Sequence, residues 1–181
     1  MDGGRELQVG EHGEICLRGP NIFRGYYKNP DATAQSIDPE GWYHTGDVGY
    51  IDQHGNIFIT DRMKELIKYN GYQVSPAQLE GLLQGHSAVS DVAVIGVYST
   101  EKATELPRAY VVPAKGYSAG KKLEREIIEW MDKKVSPYKR LRGGITFVDM
   151  IPKSPAGKVL RRILVEQAKL ENSEIRRTAK L

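Results

Sequence analysis

The sequence predicts an α+β protein in which a short β-rich stretch precedes a larger unit of sheet and flanking helices. Three observations carry that expectation. Up to about residue 60, apolar residues alternate or fall in short runs between Gly- and Pro-rich turns. Beyond it, the continuous apolar runs at 92–97 and 109–112 suit buried strands. Leu123, Ile127, Trp130, Met131 and Val135 then recur at helical spacing.

In chain order, Gly13-Glu14-Ile15-Cys16-Leu17-Arg18 alternates and reads as a strand closed by Gly19-Pro20. A short helix is expected to start at Asn29-Pro30. Residues 48–51 and 56–60 read as strands around the polar turn Asp52-Gln53-His54-Gly55, a hairpin. Asn70-Gly71 marks a tight turn between 65–67 and 72–74. Ser75-Pro76-Ala77-Gln78 opens a helix with a capping Ser, a Pro suited to the first turn and a Gln placed to complete a capping box. Leu79, Leu82 and Leu83 form its apolar stripe and Gly85 ends it. The connection from Ser99 to Pro107 reads as mobile. A helix is expected over 122–135, stopped by Pro137, then a strand at 145–148 and a helix over 159–170 with Leu160, Ile163 and Leu164 inward.

The chain has 181 residues, 27% of them charged with both signs interspersed, and a net charge of +3. Nucleic-acid or membrane-surface binding needs clustered basic charge, so no nucleic-acid partner is expected. No apolar run approaches the ~20 residues of a membrane helix, and the N-terminus lacks the pattern of a secretory signal. One cysteine excludes an internal disulfide and fits a reducing compartment. Cys16 could be a nucleophile, but its place in a strand pattern favours a quiet packing role, and no metal site is expected. The reading is of a soluble intracellular chain.

Three segments carry candidate chemistry. Trp42-Tyr43-His44-Thr45-Gly46-Asp47 is a Gly turn presenting an Asp, suited to accept hydrogen bonds from both hydroxyls of a vicinal diol. It also reads as an ordinary turn. In Asp61-Arg62-Met63-Lys64-Glu65-Leu66-Ile67-Lys68, an extended backbone would put Lys64 and Lys68 on one side, near an Arg, where they could meet phosphates. It equally reads as a charged linker. Ile151-Pro152-Lys153-Ser154-Pro155-Ala156-Gly157-Lys158 could hold a lysine over an anion, or simply expose one at a helix entry. Its glycine spacing is not that of a P-loop.

Taken with Gly25-Tyr26-Tyr27 and Lys68-Tyr69-Asn70-Gly71-Tyr72-Gln73-Val74, the order and spacing of these segments resemble the adenylate-forming superfamily. The likeness is nearest its acyl-CoA synthetase, coumarate–CoA ligase and luciferase branch, and runs from about Gly13 to Leu170. It implies a small C-terminal domain, a β-sheet flanked by helices, preceded by a partial β-barrel remnant of the large domain. Residues 1–60 would end the large AMP-binding domain, 61–64 would be the hinge, 65–172 the mobile C-terminal domain and 173–181 a flexible tail.

The resemblance also implies the chemistry: a carboxylic acid, aromatic or fatty, is joined to AMP with loss of pyrophosphate and then passed to the CoA thiol. Asp47 would hold the ribose hydroxyls of ATP, and Arg62 the ribose and phosphate side. Lys158 would be the adenylation lysine. An ammonium there would ease the meeting of two anions. Lys64 would lie on the hinge and Lys68 would reach the adenylate in thioester formation. Asn70, Gly71 and Gln73 would lie where CoA is placed. The phosphate loop, the acid pocket and the Glu associated with Mg2+ have no counterpart in these residues, so the isolated chain is expected to lack turnover. Thr178-Ala179-Lys180-Leu181 resembles a peroxisomal import tripeptide with Ala in place of Ser. Glu171-Asn172-Ser173 is read as breaking the last helix, leaving that tail open to an import receptor. Two other readings stand beside the ligase: a catalytically silent nucleotide- or partner-binding module, and a fragment of a luciferase-like oxygenase.

Overall fold

The computed structural model describes the backbone of residues 5–178 and the side chains of residues 5–171. It divides into two compact units, Met1–Lys64 and Glu65–Leu181. Together they make an α+β chain.

The first unit is a three-stranded antiparallel sheet of β1 (Gly13–Leu17), β2 (Tyr43–Ile51) and β3 (Ile57–Arg62), in the order β1-β2-β3. The short helix α1 (Pro30–Ser36) is capped by Asn29, whose side chain accepts from the Ala32 N–H. The β2–β3 hairpin turns on Asp52, whose carboxylate accepts from the backbone N–H groups of His54 and Asn56 and from the Asn56 side chain. Gly49 is required in β2, because a Cβ there would stand 2.3 Å from the Phe58 carbonyl oxygen.

The second unit is built on a central sheet. β6 (Val89–Ser99) and β7 (Thr104–Pro113) form a long antiparallel ribbon, and β8 (Ile145–Phe147) joins β7 in parallel. The apolar runs predicted as buried strands lie in β6 and β7 and are covered on both faces. Val92, Val94, Ala109 and Val111 pack with α2 (Pro76–Leu83) and α3 (Lys121–Asp132) through Leu79, Leu83, Leu123, Ile127 and Met131. Ala93, Ile95, Val97 and Tyr110 pack with α4 (Arg161–Thr178) through Leu164 and Ala168. Strand alternation assigns neighbours to opposite faces. The hairpin of β4 (Ile67–Tyr69) and β5 (Tyr72–Val74) turns at Asn70 and Gly71, both at positive φ, as a tight hairpin turn demands. No helix of the described residues is long and apolar enough to cross a membrane.

Several local expectations are corrected. Ser99–Pro107 is not a mobile connection: residues 104–107 belong to β7, and its ladder to β6 closes at Ser99 and Thr104. Ser75 caps α2 by accepting from the Gln78 N–H, but the Gln78 side chain accepts from Lys139 Nζ instead of closing a capping box. α3 ends at Asp132, ahead of Val135. α4 starts at Arg161, and Leu160, just outside it, is exposed rather than inward. Its backbone continues helical through Glu171-Asn172-Ser173 to Thr178. Asn and Ser each cost a helix only about half a kcal/mol relative to Ala, and Glu171 is tied back to Arg108. Ala179-Lys180-Leu181 lies outside the described residues.

Candidate functional site

Asp47 and Arg62 meet in the first unit. They are register partners across β2 and β3, with Arg62 Nε 3.2 Å from Asp47 Oδ1. The Thr-Gly-Asp segment is not the turn expected of it. It lies within β2, as a bulge: Glu14 pairs with Val48 and Cys16 with His44, so residues 45–47 face Ile15 alone. Gly46 sits at φ +72, a conformation that glycine adopts freely. Three bonds fix the bulge. Thr45 Oγ1 donates to the Ile15 carbonyl and accepts from the Asp47 N–H, while Glu14 Oε1 accepts from the Gly46 N–H.

Beside the bulge is a polar cluster that the sequence reading passed over. His44 Nδ1 lies 2.8 Å from Glu14 Oε2 and 3.6 Å from Cys16 Sγ, and its Nε2 lies 3.5 Å from Asp38 Oδ2. The hydrogen bond to Glu14 raises the His44 pKa against the opposing effect of burial. Burial raises that of the Cys16 thiol, with the Glu14 and Asp38 charges adding to it. His44 was in view within its motif, but its partners stand on β1 and before β2, a proximity that only strand pairing creates.

Lys64 and Lys68 do not share an extended stretch. Lys64 falls in a 3₁₀ turn, Met63–Glu65, and Lys68 begins anew in β4; both are exposed. Lys68 is the register partner of Gln73, so these two predicted residues stand side by side on the hairpin. The hairpin is pinned to β7: the Lys68 N–H donates to Glu105, the Asn70 N–H donates to Thr104 Oγ1, and Thr104 Oγ1 donates to the Lys68 carbonyl. Gly71 has open space where a Cβ would be, so its φ of +83 is what calls for glycine. Tyr72 stacks on Tyr138 with ring centroids 4.5 Å apart, an aromatic pair beside the predicted residues that their sequence separation concealed.

Lys158 is exposed at the end of a closed loop. The Ser154 N–H donates to the Lys158 carbonyl, Ser154 Oγ accepts from the Lys158 N–H, and the Ser154 carbonyl accepts from the Gly157 N–H. Lys153 anchors the loop through Asp91, at 2.6 Å. Asp91 pairs with Val112 near one end of the β6–β7 ribbon, whereas Thr104, which holds the Lys68 hairpin, pairs with Ser99 at the other. At ~3.3 Å per residue these tethers are roughly 25 Å apart. Between them Arg161, three residues past Lys158, bonds Glu65 at 2.8 Å and Glu80 at 2.8 Å. The two lysines are thus attached to one rigid framework at separated points.

The second unit thus carries a lysine-bearing hairpin at one end of its sheet and a lysine-bearing loop at the other, and residues 78–158 match the AMP-binding enzyme C-terminal domain family. The chain belongs to the adenylate-forming superfamily, in its acyl-CoA synthetase and coumarate–CoA ligase branch, and corresponds to the C-terminal portion of those proteins. It is 49% identical to a putative acyl-coenzyme A synthetase of Emericella nidulans over 98% of this chain and 31% of that protein. It is 46% identical to luciferin 4-monooxygenase of Luciola mingrelica over 92% of this chain and 30% of that one. Among solved structures, ATP-bound MatB from Rhodopseudomonas palustris superposes with a TM-score of 0.84 at 32% identity, covering 93% of this chain and 32% of that one. The chain therefore spans about a third of the length of such relatives.

Proposed function

We propose that this chain supplies the hinge, the mobile domain and the ribose-binding edge of an ATP-dependent acyl- or aryl-CoA ligase. The reaction is carboxylic acid + ATP + CoA giving acyl-CoA + AMP + pyrophosphate, by way of an acyl-adenylate. The observation that carries this reading is the attachment of Lys158 and Lys68 to opposite ends of one β-ribbon. A single body with two separated cationic tools can present one, turn about a hinge, and present the other.

In the first half-reaction Lys158 lies between the acid's carboxylate and the α-phosphate, where its positive charge offsets the charge that builds in the transition state. Asp47, with one oxygen engaged by Arg62, takes the ribose hydroxyls on its free edge, and Arg62 faces the phosphate side. Lys64 lies at the hinge. In the second half-reaction the hairpin brings Lys68 to the adenylate, and Asn70, Gly71 and Gln73 line the approach of CoA. Magnesium enters through residues other than these, and the chain alone has no turnover. Ala179-Lys180-Leu181 directs the protein to the peroxisome.

Grafting the chain onto the N-terminal body of a homologous ligase tests the assignment of roles. Lys158→Ala slows adenylation, read as pyrophosphate release, while leaving transfer from a preformed acyl-adenylate nearly intact; Lys68→Ala does the reverse. Equal loss in both half-reactions from either change would sink the two-face reading.

A further inference from the structure

The Glu14, Cys16 and His44 cluster is not used by the proposed reaction. Its donor atoms, a carboxylate oxygen, a thiol sulfur and an imidazole nitrogen, all lie within 4.8 Å of one another. Two of them crowd a single ring nitrogen: Glu14 Oε2 at 2.8 Å and Cys16 Sγ at 3.6 Å from His44 Nδ1. Nδ1 can share only one proton, so Glu14 and Cys16 compete for it, and the Cys16 thiol also hydrogen-bonds the Glu14 carboxylate. A divalent cation at the centre would satisfy all three.

We propose that Glu14, Cys16 and His44 form a zinc site with a fourth position open to water. Oxygen, nitrogen and sulfur together match the borderline softness of Zn2+, which takes three protein ligands and one open position in many sites. Tetrahedral bond lengths around zinc require nitrogen and sulfur to stand about 3.6 Å apart, and nitrogen and oxygen about 3.3 Å. The sulfur is already at its distance from the nitrogen, and the donor atoms all lie within 4.8 Å, against about 3.6 Å needed between sulfur and oxygen. The Glu14 carboxylate needs to open by roughly half an ångström.

The outer contacts favour the same reading. His44 Nε2 faces Asp38 Oδ2 at 3.5 Å, the carboxylate–imidazole arrangement that orients metal-bound histidines. Asp38 is itself fixed, its Oδ1 accepting from the Glu40 and Trp42 N–H groups. The second oxygen of Glu14 accepts from the Gly46 N–H, which orients the carboxylate toward the cluster. His44 is 39% exposed and Glu14 only 14%, which gives an ion an entry on the imidazole side. On coordination the thiol proton and the Nδ1 proton leave to solvent, Nε2 keeping its hydrogen toward Asp38, and the thiolate and the Nδ1 lone pair bind the metal. An occupied site would pin β1 to β2 immediately before Asp47.

The test is titration of the metal-stripped 181-residue chain with Zn2+ by calorimetry, and with Co2+ followed by absorption. One equivalent of Zn2+ is expected to bind at micromolar affinity or tighter, and Co2+ to show a thiolate charge-transfer band. Cys16→Ser and His44→Gln should each weaken Zn2+ by more than about 100-fold, and Asp38→Asn by about 10- to 100-fold as an outer-shell partner. His54→Gln should change nothing. Binding no tighter than millimolar, affinity unmoved by Cys16→Ser, or a Co2+ complex of the wild-type chain without the thiolate band would each overturn the proposal. The Co2+ band needs no variant, so a misfolded mutant does not protect the idea, and the outcome is independent of whether the ligase reading holds.

Discussion

Arg62 Nε stands 3.2 Å from Asp47 Oδ1, the two residues being direct partners across the β2–β3 pair. They lie fifteen positions apart in the chain, yet the hairpin built on Asp52 sets them face to face. The guanidinium is 57% exposed and the carboxylate 29%, so the pair adds little to stability.

Substituting Arg62 separates these two roles. Arg62→Ala should shift the stability of the chain by less than about 1 kcal/mol, as for exposed ion pairs. In a ligase assembled with this chain it should raise the KM for ATP by about tenfold or more, the loss of one charge-assisted contact. Urea denaturation and steady-state kinetics measure the two separately. A large stability loss with unchanged kinetics would assign Arg62 to the fold alone.

Ser154 holds the Lys158 loop shut from both sides of the chain, through its N–H and its hydroxyl. Ser154→Ala removes the acceptor for the Lys158 N–H, at a cost of about 1 kcal/mol. Adenylation in the assembled enzyme should slow by several-fold, while thioester formation from preformed adenylate stays unchanged. Equal slowing of both steps would contradict a local effect on Lys158.

Arg161 forks between Glu65 and Glu80, and all three side chains are at most a quarter exposed. Removing the guanidinium leaves two carboxylates facing each other with reduced solvation. Arg161→Ala should destabilise the second unit by about 3 kcal/mol, read from the urea midpoint. Arg161→Lys should recover only part of this, because an ammonium cannot reproduce the planar fork. Full recovery by lysine would reduce the interaction to simple charge.

Asp52 provides a pH signature for the β2–β3 hairpin. Hydrogen bonds from the Asn56 side chain and backbone, with others from His54 and Gly55, hold its carboxyl below the ordinary aspartate value. A depressed folded-state pKa means that its contribution is present above the unfolded value of about 3.9 and is lost as pH falls through the folded value. Amide exchange at His54 and Asn56 should therefore stay slow to below about pH 4 and rise only under stronger acid. Asp52→Asn should remove that pH dependence. A carboxyl titrating at the ordinary value, followed by NMR, would contradict the assignment.

Most of the framework was legible in the chain because it is set by local rules. The runs at 92–97 and 109–112 are apolar without a break because β6 and β7 are covered on both faces. Ser75-Pro76 and Asn70-Gly71 mark a helix start and a turn through the backbone geometry of those residue types. The misses came where two local preferences were close in energy. Asn172 and Ser173 are weak helix formers, and the tie from Glu171 to Arg108, sixty-three residues away, favours the helix. Thr45-Gly46-Asp47 carries turn residues, and Glu14 and Ile15 hold it inside a strand as a bulge instead.

The sequence by itself determined the superfamily, the α+β class and the identity of the residues proposed for chemistry, Asp47, Arg62, Lys64, Lys68, Asn70, Gly71, Gln73 and Lys158, because those depend on residue types at set spacings. Tertiary structure decided the relations between them. Strand register joined Asp47 to Arg62 and Lys68 to Gln73, the β6–β7 ribbon held the two lysines' tethers apart, and a strand pairing brought Glu14, Cys16 and His44 together. Such relations depend on which strands pair and in what register, a property of the whole packed chain that no single segment carries.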